Sequence, residues 1–180
     1  ATQTLTVRDL VAPIFTFVPA NATISCDAIP PVGTPVAADN CAGVAAVNYD
    51  GQTRADGPCP DTYTLTRRWT AADNCGNTRT AEQVLTVQDV TVPVFTNVPT
   101  NATVSCESIP AVGTPSASDN CDANVTITYH GETRLNGACA DNYTLVRQWT
   151  ATDNCGNTAT AQQTLAVQDL TAPAFTFVPA

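Results

Sequence analysis

A sequence that repeats itself at a fixed period of 80 residues has few folds open to it. The cysteines at Cys26, Cys41, Cys59 and Cys75 return as Cys106, Cys121, Cys139 and Cys155, each one period later. Trp69 and Trp149, Tyr63 and Tyr143, Pro13 and Pro93, and Gly33 and Gly113 keep the same offset. The stretch LTVRD at Leu5–Asp9 recurs as LTVQD at Leu85–Asp89 and as LAVQD at Leu165–Asp169. A constant long period without insertion or deletion is the signature of an array, in which each repeat is one structural unit stacked on its neighbours. Residues 1–10 read as the last strand of a preceding repeat. Residues 11–90 and 91–170 read as two full repeats, and 171–180 as the start of a following one. The chain therefore reads as a window on something longer.

A unit of this size buries too little apolar surface to be comfortable alone. Two disulfides per repeat would each contribute about 2–4 kcal/mol by restricting the unfolded chain. Eight cysteines in even, repeated spacing fit an oxidising compartment, so the expected location is extracellular: cell surface or secreted. Thiol metal sites fit less well, because no CxxC occurs and the one histidine, His130, is replaced by Asp50 in the first repeat. The chain carries 16 acidic residues against 7 basic ones, all arginine, for a net charge of −9. This charge excludes a nucleic-acid partner and opposes anionic membranes. It suits a surface protein or a binder of cations. No apolar run is long enough to span a bilayer, so direct membrane insertion is not expected.

Proline, glycine and Asn/Asp clusters punctuate the chain, and nothing between them has a helical period. In Tyr143–Ala151 the residues Tyr143, Leu145, Trp149 and Ala151 form an apolar face, with Thr144, Val146, Gln148 and Thr150 opposite. Arg147 falls on the apolar phase, as does Arg67 in the first repeat. A buried unpaired arginine is very costly, so these two are expected at a sandwich margin, paired or stacked on an aromatic ring. Ala159, Ala161, Leu165 and Val167 mark the next strand. In the second repeat the strands are read at about Asn101–Cys106 (A), Val112–Asp119 (B), Val125–Glu132 (C), Tyr143–Asp153 (F) and Asn157–Gln168 (G), with room for one more between C and F. Many short strands bounded by turns indicate tandem immunoglobulin-like, all-β antiparallel sandwich domains.

The motifs SASDN, YTLVRQWTATDNCGNTAT and VQD followed by TAP resemble the hyalin-repeat (HYR) type of immunoglobulin-like domain. They look most like the cysteine-rich version repeated in large surface adhesins of gliding and other Bacteroidota. The resemblance extends over the whole chain and implies an adhesive or spacer role at the cell surface.

Strand direction suggests which cysteines pair. Strand A ends where F begins, placing Cys106 and Cys139 at one pole; B ends where F turns into G, placing Cys121 and Cys155 at the other. The expected bonds are Cys26–Cys59, Cys41–Cys75, Cys106–Cys139 and Cys121–Cys155, with sequential pairing as the rival. Asp39-Asn40 and Asp73-Asn74 precede Cys41 and Cys75, and Asp119-Asn120 and Asp153-Asn154 precede Cys121 and Cys155. Asp9 and Asp89 end the preceding closing strands. Asp9, Asp39 and Asp73, then Asp89, Asp119 and Asp153, would supply hard oxygen ligands for calcium at each junction. The same residues are also ordinary turn formers that cap a loop by Asx hydrogen bonds.

The connectors ending at Pro13, Pro93 and Pro173 are short, contain proline and lack Gly/Ser flexibility, so they restrict their neighbours. No enzyme constellation recurs: the single histidine supports neither a Ser–His nor a Cys–His arrangement, and no phosphate loop is present. Two functions follow. The repeats are a semi-rigid stalk or fibre for adhesion, whose partners are neighbouring repeats or laterally associated chains in a filament. Alternatively, the repeats themselves bind surface glycans or proteins.

Overall fold

The computed structural model describes residues 1–41 and 43–174; Ala42 and the end of the segment read as the start of a following repeat, 175–180, lie outside the described residues. The chain divides into two compact units, Ala1–Val90 and Thr91–Ala180. Among the described residues there is no helix, and none long and apolar enough to cross a membrane.

The first unit holds β1 (Ile14–Phe17), β2 (Ala22–Ser25), β3 (Val36–Asp39), β4 (Gly43–Val44), β5 (Ala46–Asp56), β6 (Tyr63–Ala72) and β7 (Thr78–Gln88). Its larger sheet runs β2-β7-β6-β5 and its smaller one β1-β3-β4. The second unit holds β8 (Val94–Thr96), β9 (Ala102–Ser105), β10 (Ser116–Ser118), β11 (Thr126–Cys139), β12 (Asn142–Thr152) and β13 (Thr158–Gln168). Its sheets run β11-β12-β13-β9 and β10-β8. This is the all-β, sandwich-like architecture expected from the turn-bounded strands.

Three details differ from the sequence reading, each for a local reason. Strand A joins the large sheet through a parallel pairing, with Ala102 opposite Leu165 and Ser105 opposite Gln168, so the sheet is mixed. Strand B shrinks to Ser116–Ser118: Pro115 has no N–H for a ladder, and Gly113 lies so close to Pro99 that a Cβ there would fall 2.5 Å from its Cγ. Strand C extends through the whole segment before strand F, to Cys139, and a bulge between Tyr129 and Glu132 absorbs the extra residue at Gly131 (φ 95°). The connector after Pro93 also forms a strand, β8, which pairs with β10. Pro93 precedes it and so costs no ladder bond.

The core is thin and repeats. Leu65, Leu85 and Val87 pack with Ile24, Cys26 and Tyr63; Leu145, Leu165 and Val167 pack with Val104, Cys106 and Tyr143. A second cluster in the first unit, Ala37, Ala45 and Ala71 with Phe15 and Val47, fills the other end of the sandwich with small side chains. Trp69 and Trp149 are buried, with Tyr49 and Tyr129 tilted against them at centroid distances of 5.7 and 5.5 Å.

The arginines on the apolar phase lie inside this core. Arg67 and Arg147 are each 3% exposed. Arg147 donates to the carbonyls of Pro110 (2.8 Å) and Ala111 (3.1 Å), to Gln163 Oε1 (3.2 Å) and to Glu132 Oε2 (2.7 Å). Arg67 makes the same set with Pro30, Pro31 and Gln83, but meets the neutral Gln52 at 3.3 Å in place of a glutamate. The guanidinium fork thus ties the segment between strands A and B to the large sheet. Gln163 and Gln83 complete the chain by donating to Thr100 O (2.9 Å) and Ala20 O (2.8 Å). Aromatic stacking falls to two other arginines: Arg54 over Tyr63 and Arg134 over Tyr143, each 3.6 Å from the ring centroid.

Arg147→Ala leaves two strand-linking carbonyls, Gln163 and Glu132 without their donor, and is expected to cost about 3–5 kcal/mol in urea denaturation. Glu132→Gln, which copies the first unit, is expected to cost no more than ~1 kcal/mol, because Glu132 is partly solvated. A loss for Glu132→Gln as large as for Arg147→Ala would show that the ion pair, and not the carbonyl tether, holds the segment.

Candidate functional site

The acidic loops gather where β6 turns into β7 and where β12 turns into β13. In the first unit the turn is closed by Asp73, whose Oδ1 accepts from the N–H of Cys75 (2.8 Å) and of Asn77 (2.8 Å) and whose Oδ2 accepts from Asn77 Nδ2 (2.7 Å). Desolvation works to raise the pKa of Asp73. The side-chain and backbone donors of Asn77, with the amides of Cys75 and Gly76, outweigh it and hold the carboxyl below its ordinary 3.8. Gly76, at φ 88°, makes the reversal possible. Asn77 Nδ2 also donates to the carbonyl of Asp9 at 3.2 Å, drawing the incoming N-terminal segment onto the turn. Asp39 follows the same Asx pattern, accepting from Cys41 N at 2.9 Å. Ligand atoms of Asp9, Asp39 and Cys41 lie within 4.8 Å of one another.

In the second unit Asp153 closes the β12–β13 turn as Asp73 does, accepting from Cys155 N (2.9 Å), Asn157 N (2.8 Å) and Asn157 Nδ2 (2.8 Å). Asp119 Oδ1 accepts from the amides of Cys121 (2.8 Å) and Asp122 (3.1 Å), while its buried Oδ2 has no hydrogen-bond partner among the described residues. Asp89, the residue after β7, is buried. Asp122, which the sequence reading did not single out, is also buried and bridges the two loops: it accepts from Asn124 N (2.8 Å) and Asn154 N (2.9 Å). Its only signal was a difference between repeats, Asp122 standing where the first repeat has Ala42.

Of the six candidate calcium ligands, then, Asp9 and Asp39 converge in the first unit. The carboxylates of Asp73 and Asp153 are taken up in closing their turns. Asp119 sits in its loop with one buried oxygen left over.

The cysteines fall into two complementary sets. Cys26, Cys59, Cys121 and Cys155 are disulfide-bonded, while Cys41, Cys75, Cys106 and Cys139 carry free thiols. The set bonded in one unit is the set left as thiols in the other, one 80-residue period away. Parallel pairing of β9 with β13 brings the end of strand A to the start of strand F, and Cys106 N donates to Gln168 O there at 3.1 Å. At the opposite end Cys41 and Cys75 are close enough to affect each other. Desolvation, then the Asp9 carboxylate by charge and hydrogen bond, then Asp39 and Cys75, push the Cys41 thiol above its ordinary 9.0. A thiol so placed is a poor nucleophile.

Both units also carry an open cleft between the turn before strand B and the aromatic pair. In the second unit it has a volume of ≈ 310 Å³, walled by Val112–Pro115, Ile127, Tyr129 and Trp149; in the first it is ≈ 220 Å³, walled by Val32–Pro35, Val47, Tyr49 and Trp69.

The family described as "HYR-like domain with 4 cysteines" matches residues 94–167, within the second unit. No curated protein matches the chain. Among solved structures it is similar to Drosophila N-cadherin EC1-4, at 11% identity and a TM-score of 0.35, with 88% of this chain and 50% of that one covered. Human CDH23 EC21-23 aligns at 15% identity and a TM-score of 0.36 over 87% of this chain and 69% of that one. Human Protocadherin-24 EC1-2 aligns at 16% identity and a TM-score of 0.35 over 89% and 100%. The chain spans half the length of the N-cadherin fragment that it matches.

Peptide mapping of oxidised protein under non-reducing conditions is expected to recover Cys26–Cys59, Cys41–Cys75, Cys106–Cys139 and Cys121–Cys155. Peptides joining Cys26 to Cys41 or Cys59 to Cys75 would overturn that assignment in favour of sequential pairing.

Proposed function

We propose that this chain is a structural segment of an extracellular surface adhesin or filament, its repeats forming a semi-rigid stalk for adhesion. The observation that carries this is the residue-for-residue repetition of the internal scaffold. The arginine tether, the Gly–Pro contact, the Asp-closed turn and the Tyr–Trp pair recur at the same offset in both units. Two of the differences lie on the sheet-edge strands β5 and β11: Asp50 becomes His130, and Gln52 becomes Glu132 with its hydrogen bond to the arginine kept. Two disulfides in each unit would let such a small core bear load in an oxidising medium. Short connectors with proline restrict how one repeat follows another. Large Bacteroidota adhesins, including those of gliding cells, are the kind of parent the sequence motifs suggest. Neighbouring repeats, and laterally associated chains of a filament, are the partners of this role.

Calcium fits the acidic loops as a stiffening ligand. The donors are hard oxygens of the type calcium takes, Asp9 and Asp39 converge, and the buried Asp119 Oδ2 lacks a hydrogen-bond partner. Cys41 Sγ is too soft to compete as a ligand, and bonding to Cys75 would withdraw it. Asp9 and Asp39 would hold the ion in the first unit, and Asp89 and Asp119 stand one period later. Thermal melting in calcium is expected to exceed that in chelator by several degrees, and Asp39→Asn is expected to reduce the difference, with Asp119→Asn added to remove it; identical melting curves would remove calcium from the proposal.

A second reading is favoured by the two clefts: the repeats bind glycan or protein partners directly, through Tyr49 and Tyr129. Glycan-array and cell-binding assays on the 180-residue chain separate the readings. A stalk segment is inert in both; binding that Tyr129→Ala weakens tenfold or more would establish the repeats as binding modules instead.

A further inference from the structure

The outer face of the small sheet is apolar in the first unit and largely polar in the second. In the first, Ile14, Ala38 and Val44 stand opposite one another across β1, β3 and β4, so a row of three apolar side chains crosses the sheet. The next row pairs Phe17 with Val36. Strand alternation sends Phe15 and Ala37 inward to the alanine cluster and this outer set to solvent. Ile14 is 57% exposed, Phe17 55%, Val36 49% and Val44 84%. A bulge between Phe15 and Phe17 puts the phenylalanine in that second row. In the second unit, which has no such bulge, Thr96 stands opposite Ser116 instead, and Ser118 lies opposite Val94. Asn124 stands where the first unit has Val44. Val94, the counterpart of Ile14, is 61% exposed although the whole first unit precedes it, so exposure here is a property of the unit itself. Among the described residues of β1, β3 and β4 the one ionisable side chain is Asp39, which alternation places on the inner side.

We infer that this face docks a second copy of the chain, first unit against first unit, about a twofold axis. Copies carrying a net charge of −9 repel one another over most of their surface. An uncharged apolar face is where two of them can meet without bringing carboxylates together. A charged partner finds nothing on it to recognise. One sheet face can serve as both halves of an isologous contact, the two sheets stacking about 10 Å apart. The polar face of the second unit offers no such burial, so contact is confined to first units. The four large side chains leave on the order of 300 Å² of apolar surface per copy, as much as the largest patch on an ordinary monomer but well under the ~800 Å² per partner of a standard interface. A single contact of this kind is therefore weak. For its setting the inference rests on the stalk or filament reading, in which chains side by side present their faces at high effective concentration and weak contacts add up to lateral cohesion.

Sedimentation equilibrium of the full chain tests this. A monomer–dimer equilibrium half complete on the order of 0.1–1 mM is expected. Raising salt from about 20 to about 300 mM is expected to tighten it severalfold, because screening weakens the repulsion between acidic copies and leaves apolar contact intact. Val44→Asp and Ile14→Asp, at the two most exposed positions of the face, are each expected to weaken dimerisation at least about tenfold with melting unchanged. In the converse variant, Ser116→Val, Ser118→Ala and Asn124→Val together copy the face onto the second unit, and association is expected to pass beyond dimers. A chain that stays monomeric at about 3 mM overturns the inference. So does a dimer that Val44→Asp leaves intact, or one that salt dissociates, since ion pairs would then hold it. A monomeric chain leaves the stalk reading standing without this lateral contact, whereas glycan or cell binding through Tyr129 removes the stalk reading and leaves the dimer measurable.

Discussion

The arginine at the centre of each large sheet is the interaction on which the rest is hung. A guanidinium cannot lose its proton in a protein, so a buried one must find several acceptors or the fold is lost. Here two of the four acceptors are backbone carbonyls of the proline-containing segment between strands A and B, and the other two are side chains of the large sheet. One side chain therefore does what several strand-to-strand bonds would otherwise do. Carbonyls held in this way also position the Gly–Thr–Pro turn that walls the aromatic cleft. The flanking glutamine, Gln83 or Gln163, links the same charge to the residue before strand A. Exchange of Gln52 for Glu132 beside this fork changes its electrostatics without changing its geometry, consistent with the carbonyls being the part that must be kept.

Around that tether the two ends of the sandwich do different work. At one, the disulfide-bonded Cys26 and the free thiol of Cys106 lie against the Leu–Leu–Val cluster of a small core. At the other, the carboxylates are engaged first in shaping turns. The Asp73 and Asp153 networks show that much of the acidic character is consumed locally, while Asp9 and Asp39 converge in the first unit and the buried Asp119 Oδ2 keeps no hydrogen-bond partner among the described residues. Repulsion among these groups in an acidic chain is the physical reason that a cation would stabilise this end.

Much of the fold was legible in the sequence because its signals are short-range. Alternation along Tyr143–Ala151 named the buried face correctly, including the in-phase arginine, since side-chain direction in a strand depends only on parity. Burial of that arginine was not legible, because two of its four acceptors are backbone carbonyls 36 and 37 residues away that no pattern marks. The in-phase Gln163 was the available clue. Strand lengths failed in both directions for related reasons. Strand B lost residues to a proline and to a glycine packed under Pro99, and strand C ran on to Cys139 through the segment that had been left room for a separate short strand, a glycine bulge letting the ladder continue. Asp122 was invisible because its partner, the amide of Asn154, comes from a loop 32 residues on.

The sequence by itself determined the period, the strand faces and which residues recur, because each follows from local parity or from direct repetition. Only the tertiary structure decided that strand A pairs in parallel with strand G, that a charged side chain lies at the centre of each large sheet, and which carboxylates close the turns. Those outcomes rest on hydrogen bonds between segments far apart in the chain. Backbone donors and acceptors are the same at every residue, so composition and spacing carry no record of which of them will meet.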